Sequence, residues 1–308
     1  MTSKEFRQIA WDEDVEDDCR QLIRLAVRED LGRLYDWTTV ALVGETASGK
    51  ARVAARQPGV IAGLPAARVA LDEYDPQIEF EPRAADGDTV AAGQIVAELS
   101  GPARSLLTAE RPLLNLLGHI SGIATLTAEY VRAVAPTAAR IYDTRKTTPG
   151  WRRLEKYAVR AGGGWNHRLG LFDAILIKDN HLALGATAEH GRYTPAEAVT
   201  KARQFLRDLG ADDPRREMIV EVEVDTLEQL AEVLPAEPDI VLLDNLSPAA
   251  LGEAVRIRNA ANPQILLEAS GGIDLTTVAG VAASGVDRIS VGALTHSARW
   301  FDVGLDWI

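Results

Sequence analysis

The chain has 308 residues, a formal net charge of −12 and a sequence pI near 5.0, and 46% of its residues are hydrophobic. This length suits one large or two moderate domains, and the acidic balance argues against a nucleic-acid or membrane-surface partner. A single cysteine, Cys19, excludes an internal disulfide, and no apolar run is long enough for a membrane span. The N-terminus lacks a signal-peptide pattern, so we predict a cytoplasmic protein.

The first part of the chain predicts helices around an antiparallel sheet. Apolar residues share one helical face across residues 14–29. From Ala51 to Leu99, short runs between Pro and Gly turns predict strands. Residues 106–134 predict a long helix, with Thr108 as its N-cap and Pro112 early enough to be tolerated.

The segment Gly44–Lys50 fits most of a phosphate-binding P-loop, but two features argue against that interpretation. Position 51 is Ala, so the hydroxyl that should bind magnesium is missing. Residues 51–56 alternate like a strand, whereas a P-loop opens a helix. A hairpin turn is the better interpretation.

After Ala139 the pattern changes to strand, loop and helix, which predicts a parallel sheet. Most of the predicted strands finish on polar or charged residues. These arrangements are typical of a barrel whose site lies at the carboxyl ends of the strands, and a Rossmann fold fits less well because no G-x-G-x-x-G follows the first strand. The predicted strands are 140–143, 174–178, 218–224, 239–244, 264–270 and 287–292.

One stretch, Asp143–Lys178, is basic within this acidic chain. It holds eight Lys or Arg and three Asp or Glu, a local excess of five positive charges. Such a stretch favours an anionic ligand. We interpret four of its basic residues as a solvated helix face, namely Arg152, Arg153, Lys156 and Arg160. The other four lie beside Gly-rich loops or directly after an apolar strand, where functional groups concentrate: Arg145, Lys146, Arg168 and Lys178.

The runs in this stretch resemble the quinolinate phosphoribosyltransferase family. They are Asp143-Thr-Arg-Lys-Thr-Thr-Pro-Gly150, Gly162-Gly-Gly, Asn166-His-Arg-Leu-Gly170 and Leu176-Ile-Lys-Asp-Asn-His181. The helical run Glu110–Thr125 resembles the same family, and Asp36-Trp-Thr-Thr39 matches it in part, with Tyr35 where the family has glycine. The chain also departs from the family at Trp165, where a smaller or polar residue is common.

The resemblance implies a sheet-plus-helix domain at residues 1–114, onto which residues 298–308 pack back. An incomplete, open α/β barrel of TIM type follows at residues 115–297. It also implies transfer of phosphoribosyl from phosphoribosyl pyrophosphate to quinolinate, which gives nicotinate mononucleotide, pyrophosphate and carbon dioxide. The implied protein is a homodimer or a higher multiple with shared sites.

Each substrate calls for a different set of side chains. The two carboxylates of quinolinate suit guanidinium groups. The candidates are Arg111, Arg145 and Arg168, with His167 beside them and Arg56 from a neighbouring subunit. For phosphoribosyl pyrophosphate, Lys146 and Lys178 suit the diphosphate as point charges. Glu223 and Asp244 suit ribose hydroxyls and Mg²⁺, which prefers oxygen ligands. Two glycine turns are candidates for binding phosphate through backbone amides: Ser270-Gly271-Gly272 and Gly292–His296.

Lys146, Lys178, Glu223 and Asp244 are the predicted catalytic residues, and no organic cofactor is expected. His181 and His190 are interpreted as structural. Two other functions stay open: a transferase for another pyridine carboxylic acid, and a non-catalytic ligand-binding paralogue. The full set of arginines favours quinolinate, and the presence of Lys178, Glu223 and Asp244 favours an enzyme.

Overall fold

The computed structural model describes residues 5–185 and 191–308, so His190 lies outside the described residues. The chain forms two compact units. The sheet-and-helix unit comprises residues 9–129, 146–164 and 293–308, and the barrel unit comprises residues 5–8, 130–145, 165–185 and 191–292. No helix within the described residues is long and apolar enough to cross a membrane.

The sheet-and-helix unit contains an antiparallel sheet of four strands in the order β12-β1-β5-β3 and a two-stranded sheet of β2 and β4. Its strands are β1 (Ser48–Ala55), β2 (Gly59–Val60), β3 (Glu79–Pro82), β4 (Thr89–Val90), β5 (Ile95–Pro102) and β12 (Val303–Trp307). Its helices are α1 (Glu13–Leu31), α2 (Trp37–Leu42), α3 (Leu64–Tyr74), most of α4 (Ala103–Val134), α5 (Arg152–Ala161) and α11 (Ala293–His296).

Helix α1 agrees with the sequence prediction. Asp12 caps it by accepting a hydrogen bond from Val15 N, and Gly32, at φ +59°, ends it. Val15, Cys19 and Ile23 lie on its buried face. The predicted antiparallel sheet is also confirmed, and the C-terminal strand β12 pairs with β1.

Three local predictions in this unit were wrong. Helix α3 was missed because Pro65, interpreted as a turn, occupies the first turn of the helix. Thr108 is not an N-cap, because α4 already begins at Ala103, whose N–H is satisfied by Ala47 O. Pro112 therefore lies well inside the helix. The segment Gly44–Lys50 is not a hairpin turn either, since it leads from α2 into β1; the strand predicted after it is confirmed.

The barrel unit is built on one sheet of six parallel strands in the order β6-β11-β10-β9-β8-β7. Strands β6 and β7, the first two strands of this unit along the chain, are the two edges of the sheet. They do not pair with each other, so the sheet has the strand order of a barrel that stays open between them. The strands are β6 (Arg140–Tyr142), β7 (Ile175–Ile177), β8 (Val220–Val224), β9 (Ile240–Asp244), β10 (Leu266–Ser270) and β11 (Arg288–Ser290). Its helices are α6 (Asp179–Leu184), α7 (Pro195–Asp208), α8 (Leu227–Val233), α9 (Pro248–Ala261) and α10 (Val278–Ala283).

The predicted parallel sheet is confirmed in all six strands. Side chains on both faces of β8 and β9 are buried, which explains the continuous apolar runs in the sequence. Helices α7 and α9 begin with Thr194 or Ser247 as N-cap and a proline next to it. Because parallel strands run the same way, their carboxyl ends meet at one edge of the sheet and bring the polar residues there together.

Candidate active site

Four of the predicted site residues lie at the carboxyl ends of neighbouring strands in the barrel unit. Lys178 directly follows β7, and its ammonium group contacts the carboxylate of Glu223 near the end of β8. Asp244 and Ser270 are the last residues of β9 and β10 and are paired in register. The structure therefore brings these residues to the same edge of the sheet, as the sequence predicted.

The two loops that follow β9 and β10 are fitted against each other. Asn245 adopts a left-handed conformation at φ +54°, donates from its backbone N–H to Ser270 O and donates from its side chain to Asp244. Gly271 adopts φ +92°, and a Cβ there would lie 2.2 Å from Asn245 Oδ1. Position 271 therefore requires glycine. The carboxylate of Asp244 is held by the hydrogen bond from the side chain of Asn245.

Arg145 and Arg168 lie close enough in the barrel unit for their charges to interact. Burial lowers the pKa of Arg168 first, the charge of Arg145 lowers it further, and Glu221 and Asp173 oppose both effects. Arg168 Nη1 donates to Ala174 O, while its Nε is buried and makes no hydrogen bond within the described residues. Two guanidinium charges close together raise the local positive potential, which favours an anionic ligand.

His167 is buried in the barrel unit and held by the protein. Its Nδ1 accepts a hydrogen bond from Arg168 N at 2.7 Å. Its Nε2 lies 3.0 Å from Glu221 Oε2 and 3.5 Å from Glu268 Oε1. Burial lowers the pKa of this imidazole, but the two carboxylates outweigh burial and raise it above its usual value. The predicted contact of His167 with quinolinate stays a prediction, and the position of its ring is set by these partners.

Asp143 is a site residue to which the sequence analysis gave no role. Its carboxylate is fully buried at the end of β6. One oxygen accepts from His167 N at 2.8 Å and the other from Asn166 Nδ2 at 2.6 Å. Asp143 therefore fastens the loop that carries His167 and Arg168 to the first strand of the barrel.

A second group of buried charges was also missed, because its members are far apart in the sequence. Glu268 and Arg288 face each other in register on β10 and β11, with Arg288 Nε 2.7 Å from Glu268 Oε2. Burial lowers the pKa of Arg288, but Glu268 and the other acidic neighbours outweigh burial and raise it well above its usual value. For Glu221, burial raises the pKa, but His167 and the arginines outweigh burial and lower it.

His167, Glu221 and Glu268 could in principle hold a metal ion, because one ligand atom from each lies within 4.8 Å of the others. Arg288 already pairs with Glu268, and His167 Nε2 already lies 3.0 Å from Glu221 Oε2. An added dication would face a buried guanidinium 2.7 Å from one of its ligands, which is unfavourable in a buried site. The carboxylates of Glu223 and Asp244, at the carboxyl ends of the strands, provide the hard oxygen atoms that Mg²⁺ prefers.

Trp165, where the sequence departs from the family pattern, extends the open edge of the barrel sheet. It forms a bridge with Tyr142, and the guanidinium of Arg140 lies 4.1 Å from the centre of its ring. Trp165 therefore packs on β6 and covers its free edge.

Four predicted site residues belong to the sheet-and-helix unit, namely Arg56, Arg111, Lys146 and His296. Arg111 is exposed on α4, and no carboxylate of the described residues pairs with it. Arg56 has no acidic neighbour in sequence, but it forms a two-pronged salt bridge with Asp306 of β12, with Nη1 3.1 Å from Oδ2. The predicted contact of Arg56 with substrate stays a prediction and requires this pair to open. His296 is exposed and lies 2.7 Å from Ser297 Oγ.

Lys146 lies in a loop of this unit that its surroundings hold in place. Thr295 Oγ1 donates to Lys146 O at 2.8 Å, and Arg152 Nε donates to Thr147 Oγ1 at 3.0 Å. Glu155 of α5 accepts from Thr148 N. The interpretation of α5 as a solvated basic helix was wrong for Lys156, which is fully buried.

The Gly162-Gly-Gly run has a packing role. A Cβ on Gly162 would lie 2.3 Å from Ala124 O, and one on Gly164 would lie 2.7 Å from Thr127 Cγ2. Gly163 adopts φ +85°. The run therefore lets the end of α5 approach α4 closely, and Gly162 and Gly164 are buried in this contact.

Two family models match the chain, and together they cover most of it. The model described as the N-terminal domain of quinolinate phosphoribosyl transferase matches residues 36–121, and that of the C-terminal domain matches residues 123–306. The N-terminal domain model therefore precedes the C-terminal domain model along the chain, as their names require.

Curated relatives and solved structures give the same result. The nicotinate-nucleotide pyrophosphorylase (carboxylating) of Mycobacterium leprae is 46% identical over 292 residues, which are 94% of this chain and 97% of the relative. A probable enzyme of the same name from Bacillus subtilis is 40% identical and covers 93% of this chain and 92% of its own length. The structure of the nicotinate-nucleotide pyrophosphorylase from Francisella tularensis matches with a TM-score of 0.87 and 36% identity over 99% of this chain and 100% of that one.

Proposed function

The chain belongs to the quinolinate phosphoribosyltransferase family, and from this premise we infer that it transfers phosphoribosyl from phosphoribosyl pyrophosphate to quinolinate. The products are nicotinate mononucleotide, pyrophosphate and carbon dioxide, a step of de novo NAD biosynthesis. The observation that supports this function best is that Lys178, Glu223 and Asp244 lie together at the carboxyl ends of three neighbouring strands, where a phosphorylated substrate can bind.

We propose that Arg111, Arg145, Arg168 and His167 bind quinolinate, with Arg56 contributing from the partner subunit of a homodimer or higher multiple. A planar guanidinium can hold a carboxylate through two parallel hydrogen bonds, which fixes the plane of the pyridine ring. Arg111 is exposed and has no carboxylate partner among the described residues, so its guanidinium is open to an anionic ligand. Arg56 would exchange Asp306 for the substrate.

For phosphoribosyl pyrophosphate we propose Lys146 and Lys178 at the diphosphate and Glu223 and Asp244 at the ribose hydroxyls and Mg²⁺. Supporting this, Lys178, Glu223 and Asp244 lie at one edge of the barrel sheet. The 5′-phosphate is assigned to two segments that follow the last two strands of the barrel, with His296 in the second: Ser270–Gly272 and Gly292–His296.

Mg²⁺ would supply positive charge to the diphosphate when bound, and the protein groups have to orient the two substrates. Arg145 and Arg168 hold the ring so that its nitrogen faces C1 of the ribose, and this orientation contributes much of the rate. Lys146 and Lys178 stabilise the departing diphosphate as positive charge builds at C1. The ribosylated ring is then a pyridinium, whose positive nitrogen stabilises the electron pair left on the adjacent ring carbon when its carboxylate departs as carbon dioxide. A proton from solvent then binds that carbon and gives nicotinate mononucleotide.

The residues that support catalysis also argue against a non-catalytic paralogue. A protein that only bound a ligand would not need Lys178, Glu223 and Asp244 together at the carboxyl ends of the strands. We also propose a cytoplasmic location, which is supported by a single buried cysteine and the acidic composition.

The experiment that tests the function supplies quinolinate, phosphoribosyl pyrophosphate and Mg²⁺ and follows two products. We expect nicotinate mononucleotide and carbon dioxide in equal amounts, and little turnover when nicotinate replaces quinolinate. Efficient turnover of nicotinate without carbon dioxide would instead assign the protein to another pyridine acid.

A further inference from the structure

We propose that residues Glu5–Gln8, termed here the N-terminal arm, position the segment Asn166–Arg168 for binding quinolinate. This inference rests on the proposed function, which places His167 and Arg168 at that substrate. The arm and the segment belong to the same barrel unit. Three of the four arm residues contact either the segment or the charges around it.

The side chain of Gln8 binds both backbone groups of Asn166, its carbonyl oxygen and its N–H. Its side-chain amide donates from Nε2 to Asn166 O at 3.1 Å, and its Oε1 accepts from Asn166 N at 2.8 Å. A paired strand would satisfy the same two groups in this way. Gln8 therefore fixes the backbone directly before His167.

Phe6 supports the side chain of His167. The two rings are stacked, with centroids 4.4 Å apart and planes inclined by 28°. Phe6 is buried with Ala174, Ile219 and Ile240, which lie at the amino ends of β7, β8 and β9. The arm thus reaches the imidazole from the amino ends of the strands, opposite to the ends that carry Lys178, Glu223 and Asp244.

Glu5 connects the arm to the buried charges that hold the same imidazole. Its carboxylate lies 2.9 Å from Arg288 Nη1 and accepts from Tyr142 OH at 2.7 Å. Arg288 in turn pairs with Glu268, which lies 3.5 Å from His167 Nε2. A change in the arm is therefore transmitted to His167 through stacking and through charge.

Any rotation of the His167 ring also affects Arg168, because Arg168 N donates to its Nδ1. The contacts of Glu5, Phe6 and Gln8 described above reach the segment and the charges around His167, whereas Lys178, Glu223 and Asp244 lie at the opposite ends of the strands. Loss of the arm contacts should therefore weaken quinolinate binding, while binding of phosphoribosyl pyrophosphate and the chemical steps change little.

The test compares Phe6→Leu, Phe6→Ala and Gln8→Ala with wild type in steady-state kinetics. Leu251→Ala is the matched control, because Leu251 is a buried residue of α9 away from the segment. In Phe6→Ala and Gln8→Ala we expect KM for quinolinate to rise about fivefold or more, with KM for phosphoribosyl pyrophosphate within about twofold of wild type. Phe6→Leu, which fills the space without stacking, should lie between wild type and Phe6→Ala.

A rise of both KM values together, or a loss of activity no different from that of Leu251→Ala, would overturn the positioning role. A second measurement needs no substrate and therefore separates this proposal from the proposed function. In Gln8→Ala, amide hydrogen exchange of the peptide covering residues 165–169 should be faster than in wild type, because Asn166 N loses its acceptor. Unchanged exchange would also overturn the proposal, whether or not quinolinate is the substrate.

Discussion

The buried carboxylate of Glu155 accepts a hydrogen bond from the backbone N–H of Thr148, 3.2 Å away. Its other oxygen lies 3.0 Å from His119 Nε2 on α4. Both contacts lie within the sheet-and-helix unit. Glu155 therefore connects α4 to the loop that carries Lys146, whose proposed partner is the diphosphate.

Replacing Glu155 with Ala should loosen this loop and lower stability together. Thr148 N–H and the His119 ring would both lose their acceptor, at a cost of about 1–3 kcal/mol in the free energy of unfolding. KM for phosphoribosyl pyrophosphate should rise more than KM for quinolinate. Urea denaturation and steady-state kinetics measure the two effects, with Glu228→Ala, at an exposed position of α8, as the control. Equal effects on both KM values would argue against a specific role for the loop.

Arg145→Lys should keep the positive charge but lose the planar pair of donors. We expect kcat/KM to fall by an amount equivalent to about 2–4 kcal/mol of transition-state stabilisation, typical of a broken buried charge-assisted contact. The fold should be retained, as circular dichroism can show. Arg256→Lys, at a side chain 73% exposed on α9, is the matched control and should be silent. Activity near wild type in Arg145→Lys would remove Arg145 from the quinolinate site.

Cys19 reports folding without any labelling, because it is the single cysteine and is fully buried in α1. Burial raises the pKa of its thiol from 9.0 to about 12. The native protein should therefore react slowly with iodoacetamide at pH 8, whereas the unfolded protein should react fully, since the thiolate is the nucleophile.

The same shift makes stability depend on pH in the alkaline range. The folded state keeps the thiol proton to a higher pH than the unfolded state does, so the contribution to stability is complete below pH 9 and is lost as the pH approaches about 12. Urea unfolding of wild type and Cys19→Ala between pH 8 and 10, about a unit either side of the unfolded pKa, checks this. A decline of equal steepness in both proteins would assign it to other groups.

The parts of the fold that could be predicted from sequence are those with local signals. The strands of the barrel could be predicted because each is a short apolar run between turn residues, and the start of α7 because Thr194 and Glu197 form a capping box. The start of α4 could not, since Ala103 N–H is satisfied by Ala47 O and by no side chain nearby. Thr108 is of a residue type that often caps helices, but it lies inside α4, where its hydroxyl donates to Arg104 O.

The candidate site divides in the same way. Lys178, Glu223 and Asp244 could be predicted to lie together because the carboxyl ends of parallel strands meet at one edge. Arg56 and Asp306, which are 250 positions apart, could not be paired without the register of β1 and β12. The arm residue Phe6 could not be placed either, because a single aromatic residue carries no signal of the ring on which it stacks.

The proposed sharing of sites between subunits gives a complementation test. If Arg56 acts in the site of the partner subunit, Arg56→Ala and Lys178→Ala should each be nearly inactive, because every site of either homodimer carries one lesion. In a mixed dimer one site carries both lesions and the other carries neither. Random reassortment makes about half of the dimers mixed, so about a quarter of all sites should be intact. Co-expression with two affinity tags, followed by purification through both, isolates the mixed dimers for assay.

The matched control pairs Lys178→Ala with Arg145→Ala. Both residues lie in the barrel unit of one chain, so in a mixed dimer each site keeps one lesion and no activity should return. Recovery in the first pair alone would assign Arg56 to the partner's site. No recovery in tagged mixed dimers would instead leave Arg56 in its salt bridge with Asp306 or in the site of its own subunit. Asp306→Asn then separates these two outcomes. Loss of the salt bridge should leave kcat/KM unchanged if Arg56 serves only the fold, and should alter KM for quinolinate if Arg56 contacts that substrate.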